Sequence, residues 1–187
     1  MKPYIFLYLL LLALSANSQD KYANSYLCQK GKIHFFASTP IQDIVATSDK
    51  ALCVLNTESK KVYAKVTMTT FNFKQKLMQE HFNENYMESD KYPEGVLEAV
   101  IVENIDFTKD GVYDITLKGT FEIHGVKQPR EIKGKLTVKN GQVQNATATF
   151  DVKLADHQIK IPTALMAKIA EVVKVDIDFN FEKYEKK

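Results

Sequence analysis

The sequence predicts an all-β protein, an antiparallel up-and-down barrel of about eight strands with one or two short helices. Three observations predict it. Apolar residues recur at every second position through much of the chain, which gives each such segment one dry and one wet face. Short turns separate the segments. Among them, Lys109-Asp110-Gly111 and Lys139-Asn140-Gly141 carry the Asp-Gly and Asn-Gly pairs that accept positive φ in tight hairpins. Finally, a long meander leaves exposed edges unless it closes on itself.

In chain order, residues 1–18 read as a secretory signal peptide. Lys2 precedes an apolar run from Tyr4 to Leu14, and Ala16-Asn17-Ser18 supplies the small residues that a signal peptidase reads. The run is shorter than the about 20 apolar residues of a membrane span. No Cys follows the cleavage point, so a lipoprotein anchor is not expected. Residues 19–187 are then one domain, working in a periplasm or secreted, and not membrane-spanning.

Gly31–Ser38 is the first expected strand. Val62, Ala64, Val66 and Met68 alternate with Tyr63, Lys65 and Thr67 in the next. Lys74–Glu88 breaks the rhythm: Leu77, Met78, Phe82 and Tyr86 fall at helical spacing, with Gln79, Glu80, Asn83 and Glu84 between them. Val96–Phe107 returns to strand. Tyr113, Ile115, Leu117, Phe121 and Ile123 form the dry face of another strand, and His124–Pro129 reads as a longer connection. Ile132, Leu136 and Val138 follow, then Phe150, Val152 and Leu154. Thr163–Val172, opened by Pro162, reads as a second short helix. Val173, Val175, Ile177, Phe179 and Phe181 mark the last strand.

Charge narrows the function classes. The 187-residue chain has 25 basic and 23 acidic side chains, and losing Lys2 with the signal leaves 24 against 23. A near-neutral domain offers no electrostatic footprint for nucleic acid. Arg130 is the only arginine, so bidentate recognition of phosphate or carboxylate is not expected. Two cysteines, Cys28 and Cys53, allow two readings. One is a disulfide closing a loop of about 25 residues, worth roughly 3 kcal/mol. The other is a pair of buried thiols on neighbouring strands. Neither sits in a CxxC pair or beside a histidine.

The stretch Thr120-Phe121-Glu122-Ile123-His124-Gly125-Val126-Lys127-Gln128-Pro129 resembles the "L-T-I-H-G-V-T-K-P" hairpin of the YceI-like family. Met87-Glu88-Ser89-Asp90-Lys91-Tyr92-Pro93 is similar to that family's polar loop ending in Tyr-Pro or Phe-Pro. Lys32–Ser38 resembles its opening strand, and Ala155–Pro162 a late segment. Phe121-Glu122 and Lys127-Gln128 depart from the commoner Leu-Thr and Thr-Lys. The resemblance implies an exported, lipocalin-like barrel, some of whose relatives enclose a polyisoprenoid or another long amphipathic molecule.

The expected function is therefore that of a non-enzymatic binding protein for a lipid or isoprenoid-type small molecule (polyisoprenoid, quinone-like or fatty), with no cofactor. Phe71, Phe73, Leu77, Phe82, Phe121, Ile123 and Phe150 are the expected apolar lining. The Lys74–Glu88 helix either lids or plugs the barrel. A homodimer is the one protein partnership allowed for. The alternative is a filled barrel acting as an envelope interaction or stress-response module. A third reading, an enzyme acting on a bound lipid, needs a polar cluster around His81 or His124; no GxSxG, phosphate loop or paired Cys nucleophile is present. Glu80, His81 and Glu84 share a helical face but lack a spaced metal-ligand motif. His124 is expected to bond local backbone in its turn, while His34 and His157 have no evident partner.

Overall fold

The computed structural model describes residues 24–38, 43–160 and 171–185. The expected signal peptide lies outside them, as does the expected helix Thr163–Val172 apart from its last two residues. The strands are β1 (Ser25–Ala37), β2 (Ile44–Asn56), β3 (Lys61–Thr67), β4 (Asn72–Phe73), β5 (Glu94–Ile101), β6 (Gly111–Ile123), β7 (Val126–Lys139), β8 (Gln142–Lys153), β9 (Val172–Asn180) and β10 (Glu182–Lys183). Helix α1 (Lys76–His81) runs straight into a π-helical turn, Phe82–Tyr86. Short 3-10 turns occupy Met68–Thr70 and Leu154–His157.

Every pairing is antiparallel. The order β10-β1-β9-β8-β7-β6-β5-β3-β2-β4 is closed by a further pairing of β1 with β2. Eight long strands thus form a closed barrel, with the two-residue strands β4 and β10 as appendages. Closure removes the edges that an open meander would expose.

Four expectations are corrected by the structure. Ile44–Asn56 is a full strand that alternation does not announce. Apart from Leu55, its inward residues are the small Ala46, Ser48, Ala51 and Cys53, while Val45 and Leu52 face outward at 42% and 41% exposure. An irregular register near Gly31 further breaks the period of two. The Val96–Phe107 strand stops at Ile101, and Ile105 and Phe107 pack on the core from a loop. The Lys74–Glu88 helix contracts to six residues and a π turn. The His124–Pro129 connection is a two-residue turn: His124 and Gly125 have φ of 52° and 70°, the paired positive values of a tight hairpin. Residues from Val126 onward are already paired with β6. Pro129 is tolerated inside β7 because that stretch has only β6 as a neighbour; pairing with β8 starts at Gly134.

The barrel has two unlike ends. At one, Leu55, Ile101, Leu136, Val138 and Val143 are at most 2% exposed and fill the interior. Cys28 and Cys53 belong to this packed end, directly opposite one another across β1 and β2. Both are buried free thiols. Burial raises the pKa of both, that of Cys53 most, which suppresses the reactive thiolate. We expect a disulfide-forming aromatic reagent to titrate no thiol in the native protein and both after denaturation. Fast native labelling would contradict this burial.

At the other end β7 and β8 part, and the Leu154–His157 turn fills the gap. His157, 1% exposed, donates from Nδ1 to the Val126 carbonyl at 3.1 Å. Gln128 Nε2 donates to the Asp156 carbonyl at 2.8 Å. The expectation that His157 lacks a partner is corrected accordingly; likewise His34 faces Asp176 at 3.4 Å. Burial pushes the His157 pKa below its ordinary 6.5, and nearby Arg130 adds to this. A histidine depressed in the folded state binds protons preferentially when unfolded. Its contribution is fully present above pH 6.5 and is lost as pH falls through that value. The midpoint temperature should therefore fall between pH 7 and 5, and fall less in His157→Gln, whose amide retains a donor. Equal slopes in the two proteins would remove His157 as the cause.

Candidate ligand cavity

At the open end the inward-facing side chains of the strands do not meet. They surround a cavity of about 400 Å³, within the range of small-molecule sites. Ile33 and Phe35 come from β1, Ala64 and Val66 from β3, Leu97 from β5, Leu117, Phe121 and Ile123 from β6, and Phe150 and Val152 from β8. Val175, Ile177 and Phe179 complete the wall from β9. Phe35, Phe121, Phe150, Val175 and Ile177 are only half-buried although they point into the barrel. That is the signature of a lined cavity; a filled core would bury them.

Phe82, on the π turn, closes one side of this end. Its ring lies 5.0 Å from Phe73, 5.6 Å from Phe35 and 5.8 Å from Phe71, centroid to centroid. Such pairs each add about 0.5–1.5 kcal/mol beyond burial. The turn therefore packs onto the barrel rim and also contributes Phe82 and Tyr86 to the cavity wall, beside Met78 from α1. The same segment both plugs and lines, and its second half is a π turn, with the Met87 N–H donating to the Phe82 carbonyl at 2.9 Å.

Six of the seven residues expected from sequence line the cavity: Phe71, Phe73, Phe82, Phe121, Ile123 and Phe150. Leu77 does not. It is 61% exposed, and Met78 takes the inward position. Ile33 and Phe35, which also line the wall, are not among the expected lining residues, although both lie within the first expected strand; Ile177 lies on the alternating face expected for the last strand.

Among the described lining residues, only Lys65, His81 and Tyr86 carry side-chain nitrogen or oxygen. Lys65 is engaged by Glu94 at 2.7 Å. His81 and Tyr86 also face a second, polar cleft outside the barrel, formed with Glu84, Asn85, Glu88, Tyr92, His124, Lys127, Gln158 and Lys160. In that cleft His124 Nε2 meets Glu88 at 3.0 Å, and its Nδ1 meets the His157 carbonyl at 3.1 Å. Its backbone partner is thus distant in sequence, not local to the turn. The Tyr92 ring lies over His124 with centroids 4.6 Å apart, and over Gly125, where a Cβ would be 2.6 Å from the ring. Among the described residues no group of three or more His, Cys, Asp or Glu side chains is arranged to hold a metal, Glu80, His81 and Glu84 included. No helix among them is long and apolar enough to cross a membrane.

A search of curated proteins finds no match. Solved structures with this fold include a polyisoprenoid binding domain from Saccharophagus degradans implicated in plant cell wall breakdown (14% identity, 86% of this chain and 99% of that one, TM-score 0.67). Burkholderia cenocepacia BcnA is similar over 81% of this chain and 96% of its own, at 10% identity and TM-score 0.65. A Campylobacter jejuni YceI protein follows, with 17% identity, 74% and 81% coverage and TM-score 0.52. Residues 30–181 match the YceI-like domain. With that match spanning most of a closed eight-stranded barrel, the chain belongs to the YceI-like family.

Proposed function

We propose that the protein is an exported, non-enzymatic carrier for a long apolar or amphipathic molecule, of polyisoprenoid, quinone-like or fatty type, held inside the barrel. The observation that carries this reading is the cavity wall, which is apolar except for Lys65, His81 and Tyr86. Such a surface has nothing to offer a polar substrate, but it gains from every methylene it removes from water. Ten methylenes release about 8 kcal/mol gross, a part of which is offset by the cost of association. The Saccharophagus degradans domain of the same fold is a polyisoprenoid binding domain, which agrees with this chemistry. Export rests on the Lys2, Tyr4–Leu14 and Ala16-Asn17-Ser18 pattern.

The test is a titration of delipidated protein with prenyl alcohols and fatty acids of increasing tail length. Affinity should rise with each added carbon until the cavity is full, and then level off. Affinity that ignores tail length would reject a cavity-bound tail.

A further inference from the structure

His81 and Tyr86 are the two residues shared by the apolar cavity and the polar cleft outside it. They mark the place where a tail in the barrel would turn into a head in water. From the chemistry of that junction we infer that the ligand's polar end is an uncharged oxygen function, a hydroxyl or a carbonyl, seated against His81 and Tyr86, and not a diphosphate. The inference rests on the carrier reading above.

The charges around the junction disfavour an anionic head. The cleft wall has two lysines, Lys127 and Lys160, against two carboxylates, Glu84 and Glu88. Lys127 is already 3.4 Å from Glu122, and Glu88 is held by His124. The two lysines and two glutamates of the wall therefore sum to no formal charge, and one of each is already engaged by a neighbouring side chain. A diphosphate would bring several negative charges into contact with Glu84 and Glu88 and would lose hydration without repayment. Arg130, the single guanidinium of the chain, is in neither wall. Helix α1 is one short turn and a half, without a developed dipole.

An uncharged oxygen meets none of these costs. The Tyr86 phenol is half-buried, and its desolvation raises its pKa, so it stays a neutral O–H donor. The His81 imidazole, exposed on the cleft side, offers a second donor or acceptor. Together they match a carbonyl or a hydroxyl at the mouth of an apolar tunnel. The π turn is what brings both to one side, since residues five apart on an ordinary helix diverge.

The experiment holds the tail constant and varies the head. Full-length mature protein, delipidated, is titrated by calorimetry with farnesol, a benzoquinone bearing a farnesyl tail, farnesyl diphosphate and the headless hydrocarbon farnesane. Farnesol and the quinone should bind at least about tenfold tighter than the diphosphate. The double variant His81→Leu with Tyr86→Phe should lose roughly tenfold for farnesol and the quinone, the worth of one to two hydrogen bonds. It should keep its affinity for farnesane, which also controls for folding. Diphosphate binding as tight as farnesol, or an unchanged farnesol affinity in the double variant, would overturn the inference while leaving the carrier standing. Failure of all four compounds, farnesane included, would remove the carrier reading and this inference together.

Discussion

Replacing Ala64 with tryptophan should abolish uptake of a long apolar ligand while leaving a folded barrel. Ala64 sits on β3 between Cys53 of β2 and Leu97 of β5, and its methyl group faces the cavity. Small-to-large changes in a packed core cost about 1–3 kcal/mol. Here the indole has a cavity of about 400 Å³ to enter, so the folding cost should fall at the low end. Binding suffers instead, because the ring occupies space that the tail needs. Displacing about four methylenes removes about 3 kcal/mol, more than a hundredfold in affinity. Calorimetry with a long-chain prenyl alcohol measures the loss, and far-ultraviolet circular dichroism checks the fold. An A64W protein that still binds as the parent does would place the ligand outside the barrel.

Gly119→Ala is expected to have the opposite character, a large loss of stability from a single methyl group. Gly119 of β6 lies opposite Ala99 of β5, where the two strands approach closely. A Cβ built there collides with the Glu98 backbone carbonyl and falls 2.8 Å from the Ala99 Cβ. The obstacle is main chain, which has no rotamer to change, so β5 and β6 must separate. A cost of about 3 kcal/mol lowers the midpoint temperature of a domain this size by about 10 °C. Calorimetric melting of G119A and the parent reads it directly. A shift of less than a degree or two would mean that the strands are not held this closely.

Alternation made β6, β7, β8 and β9 legible, because each keeps apolar side chains on one face over many residues. It failed at β2 for a physical reason. Where barrel strands pack tightly, small residues such as Ala51 and Cys53 fill the inner face, and the outer face then looks no less hydrophobic. Phe71, Phe121 and Phe150 were recognisable as inward, but their sequence is the same whether the barrel is filled or hollow. That distinction depends on how far the walls stand apart, which sets the packed end at Leu136 and Val143 against the open end at Phe121 and Phe150. Leu77 and Met78 show a second limit. A helical stripe gives a face, yet a helix of six residues joined to a π turn can settle with either neighbour inward. The role of His157 was invisible because its partner, the Val126 carbonyl, is set by a gap between β7 and β8.

The cavity wall makes one demand above all: a tail-bearing molecule should sit inside the barrel. Native mass spectrometry on the protein purified from its own host, followed by solvent extraction and lipid identification, tests this most directly. A carrier should show a stoichiometric adduct that extracts as an isoprenoid, quinone or fatty amphiphile and that is missing from the A64W protein. A clean ligand-free mass, with no uptake of added lipids, would contradict it.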